Sequence, residues 1–266
     1  MDRLRSGDAE IAYLSMGDGP PIVLLHPFPC HHAFWLPAAQ ALSSRYRLIL
    51  PDLRGHGASN AGDGPATMEK HAGDVARVLE DCGAGRVVMI GASLGGYILF
   101  ECWRRYRERI AGLALCCTRP QGDTDEGRAN RTKVAEDVLQ RGTEPFLDGF
   151  VPKLCGATSL SSRPDLVDGA RAMMKKMTPK ALGQLQLGMA ERPDSVPTLA
   201  TISVPTLVVR GEEDGLSVAA DAQLMHRSIA GSSLRVVNRA GHYAPWEQPE
   251  EVGRILRQFV DGVRWS

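Results

Sequence analysis

Short apolar runs at 22–25, 46–50, 87–90, 110–116, 206–209 and 234–237 recur along the chain, separated by longer stretches with helical periodicity. Runs of four to seven apolar residues without alternation are the mark of strands buried on both faces, so the pattern predicts a mostly parallel sheet covered by helices on each side. Between the second and third runs, 67–82 reads as a helix, with Val75, Val78 and Leu79 on one face. Residues 93–105, 217–230 and 249–262 read as further core helices. At the start, Leu4-Arg5 and 11–14 flank Ser6-Gly7-Asp8, which predicts a strand hairpin.

The alternation stops between 119 and 201, where helix-compatible pieces at about 125–141, 143–154, 164–177 and 179–190 follow one another without a strand. This segment reads as a helical cap, 119–202, inserted into a core made of 1–118 and 203–266. A chain of 266 residues suits one large α/β domain with such an insertion.

Composition narrows the partners. Lys plus Arg and Asp plus Glu are both 31, so no net field draws the molecule to nucleic acid or to an anionic membrane. Aromatic residues are 6% and carry no basic interleaving, which argues against a nucleic-acid stacking platform. The first 20 residues are polar and no apolar run approaches the roughly 20 residues of a membrane span, so a cytoplasmic protein without membrane attachment is expected. The six cysteines form no C-x-x-C pair and read as reduced small hydrophobes. With no H-E-x-x-H and no phosphate-loop motif, neither metal nor other cofactor is expected. The sequence carries no sign of oligomeric state.

Gly91-Ala92-Ser93-Leu94-Gly95 fits G-x-S-x-G, in which small flanking residues let a strand turn sharply into a helix and leave the serine oxygen exposed. The five residues alone say little; the apolar strand 86–90 before them and the helical 97–100 after them give the motif its meaning. Ser59, in Gly57-Ala58-Ser59, lacks that context. A serine hydroxyl needs an imidazole to take its proton, and an acid to orient the imidazole. His242, in Ala240-Gly241-His242 just beyond the last strand, is the candidate base. His26 and His56 border other loops and read as loop fasteners, His31-His32 as flanking the entrance, and His71 and His226 as exposed helix positions. For the acid, Asp214 is preferred over Glu212 and Glu213, with Asp123 or Asp125 as alternatives. Two N–H donors are needed for transition-state charge on the substrate oxygen. Leu94, opening the helix, is one candidate; in His26-Pro27-Phe28-Pro29 the prolines have no N–H, which leaves Phe28 as the other. Met173 and Met177 are candidate pocket-lining residues, or plain cap core.

With these residues in hand, the chain resembles the α/β-hydrolase superfamily, particularly its small esterases, its 3-oxoadipate enol-lactonase-like members and its cofactor-free perhydrolases. The resemblance runs over nearly the whole sequence, through His26-Pro27-Phe28-Pro29, 51–59, the serine motif, 211–214 and Gly241-His242. Pro27 departs from it, standing where the family often has glycine. The order Ser, Asp, His agrees with that family's arrangement. The resemblance implies an α/β-hydrolase fold and cleavage of a small-molecule ester or lactone through an acyl-enzyme. A ligand receptor retaining the triad, a perhydrolase and a carbon–carbon bond hydrolase are the alternatives.

Overall fold

The computed structural model describes residues 1–265. Eight strands form one sheet: β1 (Asp2–Ser6), β2 (Ala9–Met16), β3 (Pro21–Leu25), β4 (Arg47–Pro51), β5 (Val87–Ala92), β6 (Ile110–Cys116), β7 (Thr206–Gly211) and β8 (Ser233–Val237), in the order β1-β2-β4-β3-β5-β6-β7-β8. β1 and β2 pair antiparallel, as does β2 with β4, and the remaining pairs are parallel. Twelve α-helices occur among the described residues. In the first half of the chain are α1 (Leu36–Ala39), α2 (Met68–Asp81) and α3 (Leu94–Tyr106). Between β6 and β7 lie α4 (Asp125–Arg141), α5 (Glu144–Phe150), α6 (Ala157–Ser162), α7 (Pro164–Met174), α8 (Pro179–Ala190) and α9 (Val196–Leu199), and no strand interrupts them. α10 (Ala219–Ser228), α11 (Ala244–Glu247) and α12 (Pro249–Asp261) complete the set.

The apolar runs alternate between two cores rather than between core and water. In β3, Val23 and Leu25 join one core while Ile22 and Leu24 join the other, and β5 divides Val87 and Met89 from Val88 and Ile90 in the same way. Pleating sends successive side chains to opposite faces, so a strand covered on both sides must be apolar at every position. α2 and α3 cover the first face; α1 and α12 cover the second. Val252, Leu256 and Val260 of α12 recur every four residues and are fully buried, the stripe that anchors this helix. α2 begins where the Thr67 hydroxyl accepts from the Lys70 N–H at 3.3 Å, supplying one of the donors a helix start leaves unpaired.

Strand order places the functional end of the sheet. From β3 the chain moves to β4 on one side, then crosses to β5 on the other, and such a reversal opens a crevice at the strands' carboxyl ends. Leu25 pairs with Gly91, and Ala92 with Cys116, so the loops after β3, β5 and β6 emerge side by side.

Candidate active site

Ser93 follows β5 directly and has φ 50° and ψ −109°, a left-handed backbone that is costly for a residue with a Cβ and is held by its surroundings. Its N–H donates to the Cys116 carbonyl at 2.9 Å, and its own carbonyl accepts from the Gly96 N–H at 2.9 Å and the Thr118 hydroxyl at 2.9 Å. The flanking glycines are required by contact. A Cβ on Gly91 would lie 2.5 Å from the Gly95 carbonyl carbon, and one on Gly95 would lie 2.9 Å from Leu25 Cβ, with the Leu25 carbonyl oxygen nearer still. The motif therefore encodes a close crossing of α3 over β3 and β5.

Three side chains from three strand ends meet here. Ser93 Oγ is 2.8 Å from His242 Nε2, and His242 Nδ1 is 2.9 and 3.0 Å from the two Asp214 oxygens. Burial opposes charge on Asp214, but the His242 imidazole and the Ser217 hydrogen bonds outweigh it and hold the carboxyl below its ordinary pKa. A carboxylate only accepts, so Nδ1 carries the imidazole proton and the Nε2 lone pair faces the serine hydroxyl. Asp214 is fixed by the N–H groups of Leu216 (2.8 Å) and Ser217 (3.0 Å), and by the Ser217 hydroxyl. Ser217 was missed in the sequence; its signal was an aspartate with a serine three residues on, the spacing of a turn closed by the side chain.

The other carboxylates go elsewhere. Glu213 accepts from the Thr158 N–H at 2.9 Å, and Glu212 from the Arg239 N–H at 3.2 Å. Asp125 is exposed and bonds Arg128 in its own helix. Asp123 is buried among arginines: Arg119 at 3.0 Å, Arg192 at 2.7 Å and Arg131. Its burial pushes the carboxyl up, but the Arg192 and Arg131 bonds prevail and bring it down to about 2.

Phe28 lies on the loop after β3, and Leu94 opens α3 directly after the turn that follows β5. Among the described residues neither N–H donates to a protein acceptor. The Phe28 carbonyl accepts from the Tyr243 hydroxyl at 3.1 Å, and that hydroxyl accepts from Cys30 Sγ at 3.1 Å.

Several histidines have structural work. His26 is fully buried; its Nε2 accepts from the Leu53 N–H at 2.9 Å, and its Nδ1 donates to the Pro27 carbonyl at 2.9 Å, which ties the β3 and β4 loops together as a neutral ring. His56 Nδ1 donates to the Arg54 carbonyl at 3.1 Å. His32 lies 2.7 Å from Asp52. His71 corrects the expectation of an exposed helix position, since it is 0% exposed and neither ring nitrogen has a partner among the described residues. His226 is half-buried and bonds Ser232 at 3.0 Å. Ser59 is buried, donating to the Asp52 carbonyl at 2.6 Å and accepting from the Ala12 N–H at 2.8 Å. All six cysteines are free thiols, five of them buried.

A cavity of about 540 Å³ opens over Ser93 and His242. Its lining is apolar at Phe28, Phe146, Phe150, Val134, Met189 and Leu216, and polar or charged at Tyr97, Arg119, Asp123, Arg131 and Lys153. Met173 and Met177, expected as pocket-lining residues or plain cap core, are not among the residues lining this cavity. Met177 is buried in the α2–α3 core and Met173 packs against the other core. The wall cations were missed because arginine and lysine in a helical segment read as solvated; the usable signal was Arg119, just past a strand's carboxyl end.

A serine on a strained strand-to-helix turn, bonded to a histidine that an aspartate orients, at the carboxyl edge of a mostly parallel sheet, defines a recognisable class. The chain belongs to the α/β-hydrolase family, whose model, described as alpha/beta hydrolase fold, matches residues 20–249. It is similar to the 3-oxoadipate enol-lactonase 1 of Acinetobacter baylyi, 26% identical over 93% of this chain and 91% of that protein. Among solved structures it resembles a thermophilic esterase from Thermogutta terrifontis, malate bound, with TM-score 0.95 and 36% identity over 98% of each chain. An enol-lactonase from Burkholderia xenovorans LB400 superposes with TM-score 0.91 and 25% identity, over 98% of this chain and all (100%) of that one.

Proposed function

We propose that this protein hydrolyses a carboxylic ester or lactone through an acyl-enzyme on Ser93, with His242 as general base and then acid, and Asp214 as its orienting group. The observation that carries this reading is the unbroken chain from Ser93 Oγ through His242 to Asp214, with distances of 2.8 and 2.9 Å, at the floor of the cavity. The esterase and enol-lactonase relatives support the substrate class.

In the proposed cycle Ser93 Oγ attacks the carbonyl carbon as its proton passes to His242 Nε2, and the carbonyl electron pair moves to oxygen. The Phe28 N–H on the loop after β3 and the Leu94 N–H at the start of α3, neither of them spent among the described residues, are available to receive that oxyanion. The imidazolium then protonates the departing alkoxy oxygen as the ester bond breaks; in a lactone the alcohol stays attached to the acyl group. A water gives its proton to His242, attacks the acyl carbon, and the carboxylic acid leaves as Ser93 recovers its hydrogen. Asp214 stays charged throughout and stabilises the imidazolium. The helices between β6 and β7, taken as a cap over 119–202, supply much of the cavity wall and so the choice of substrate.

A fluorophosphonate label followed by peptide mass spectrometry tests the assignment. Modification is expected on Ser93, together with turnover of simple aryl esters; a label on another serine with Ser93 untouched overturns it.

A further inference from the structure

The cavity lining holds more positive charge than its own carboxylate can neutralise. Arg119, Arg131 and Lys153 line the cavity, and among the described residues Asp123 is the one acidic residue lining it. That carboxylate is already committed, accepting from Arg119, Arg131 and also Arg192, whose side chain is 3% exposed and whose guanidinium stacks 4.4 Å from the Tyr97 ring centre. Three cations around one anion leave net positive charge on a partly desolvated wall, where a charge is worth more than on an open surface. Lys153 has no ion pair among the described residues, though it stands at the cavity rim.

These cations come from separate elements: Arg119 from the loop after β6, Arg131 from α4, and Lys153 from the turn before Leu154. Each is tied to its neighbourhood by a hydrogen bond of its own or of the adjacent residue. Thr118, next to Arg119, bonds the Ser93 carbonyl at 2.9 Å; Arg131 Nη1 reaches Gln186 of α8 at 2.9 Å; the Leu154 carbonyl accepts from the Tyr243 N–H at 2.9 Å. The positive wall is thus fixed relative to the proposed nucleophile and base.

Resting on the ester or lactone hydrolase reading, we propose that Arg119, Arg131 and Lys153 form a carboxylate-binding subsite, so that the substrate is an ester or lactone carrying a second, anionic carboxylate remote from the scissile carbonyl. Asp123 holds the guanidinium groups in place while leaving part of each fork free for the ligand. A planar guanidinium matches a carboxylate by paired hydrogen bonds, and the ammonium adds a mobile point charge at the rim. The phenylalanine wall takes the carbon chain between the two ends.

Two measurements separate this proposal from the hydrolase reading. In the first, kcat/KM is compared for 4-nitrophenyl hemiglutarate and its neutral counterpart 4-nitrophenyl valerate, in the wild type and in Lys153→Gln and Arg119→Gln. The hemiester is expected to be preferred by about tenfold or more, through KM, and each substitution to remove about tenfold from the hemiester while sparing the valerate ester. Equal use of the two esters, or substitutions that lower both alike, overturns the subsite and leaves the hydrolase reading standing. In the second, glutarate and inorganic phosphate are titrated calorimetrically into the whole protein, which requires no turnover. Glutarate binding that weakens in Lys153→Gln upholds the subsite even if neither ester is cleaved. No glutarate binding, or tighter binding of phosphate, overturns it. Thermal melting of each variant confirms that the comparison is made on folded protein.

Discussion

The Tyr243 hydroxyl donates to the Phe28 carbonyl at 3.1 Å, so the residue after the proposed base holds the peptide unit next to a proposed oxyanion donor. Tyr243 is fully buried, its ring packs edge-on against Phe34 with centroids 5.1 Å apart, and the Cys30 thiol completes its hydrogen bonding. The histidine loop and the oxyanion loop are therefore clamped to each other. In Tyr243→Phe the ring packing persists and the clamp is lost. We expect kcat for a short aryl ester to fall about tenfold with KM nearly unchanged, since one hydrogen bond of this kind is worth about 1 kcal/mol or somewhat more. Affinity for a boronic acid that mimics the tetrahedral adduct should fall in parallel; an unchanged boronate affinity would remove Tyr243 from this role.

Asp214→Asn should lower kcat by about ten-thousandfold, the size of loss seen when a serine protease's orienting aspartate becomes an amide and favours the wrong histidine tautomer. The fold should survive, because the amide oxygen can still accept from the Leu216 and Ser217 N–H groups. Steady-state kinetics with circular dichroism on the same sample checks both halves. Near-normal activity would require another acid, and the arginine bonds of Asp123 leave it unable to serve.

Gly95→Ala tests whether the glycines of the serine turn are there for contact. The added methyl would meet Leu25 Cβ at 2.9 Å and press on its carbonyl, both parts of the central strand, where nothing flexible yields. We expect a loss of about 1–3 kcal/mol of stability and a much larger fractional loss of activity, as α3 and the Leu94 N–H are pushed off β3. Denaturant midpoints beside kcat/KM provide the reading; a variant as active and as stable as wild type would contradict the close crossing.

How far the chain could be read depended on element length and on surroundings. The run at 110–116 coincides with β6, and β5 extends the run at 87–90 by two small residues, Gly91 and Ala92, that carry little hydropathic signal. Ser93, Asp214 and His242 were legible because each follows a strand, and parallel topology gathers strand ends. α1 and α11 were not legible: four residues span barely one turn, too few to display a 3.6-residue period. His71 was misread because its polarity suggested water, although it follows Met68 by three residues and precedes Val75 by four, on the buried stripe of α2. Met173 and Met177 were chosen by residue type, and no local pattern distinguishes a methionine facing a cavity from one facing a core.

Buried histidines give the protein an acid-labile core. His26 and His71 are held well below the ordinary imidazole pKa, and His56 is brought down to about 4; in each, burial is the chief cause. The folded state therefore binds fewer protons than the unfolded chain once pH drops below about 6.5. Stability is full above that pH and falls as pH decreases toward 4, because protonation favours the unfolded state. Denaturant melts at steps between pH 7.5 and 4 should show this slope. His71→Leu should flatten it without touching the hydrogen bonds of His26 and His56, since the His71 ring makes none among the described residues; an unaltered slope would show that His71 is not among the groups responsible.

Chain-length preference should follow the phenylalanine wall, and the methionines of α7 and its turn should be silent. Phe146 stacks on Phe150 with centroids 5.1 Å apart, each also meets Phe28, and all three line the cavity above Ser93. Met173 packs outside that cavity against the core. Phe146→Ala opens room where the substrate's carbon chain is proposed to lie, so the optimum among straight-chain aryl esters should move to longer acyl groups. Each methylene newly accommodated is worth about 1–3 kcal/mol of discrimination, enough to reverse the order of neighbouring homologues. Met173→Ala removes only packing, so its cost should appear in the melting temperature and not in the profile. The comparison is a kcat/KM series for acetate through decanoate esters with wild type and both variants. A profile that shifts in Met173→Ala and stays fixed in Phe146→Ala would place the acyl group somewhere other than this cavity.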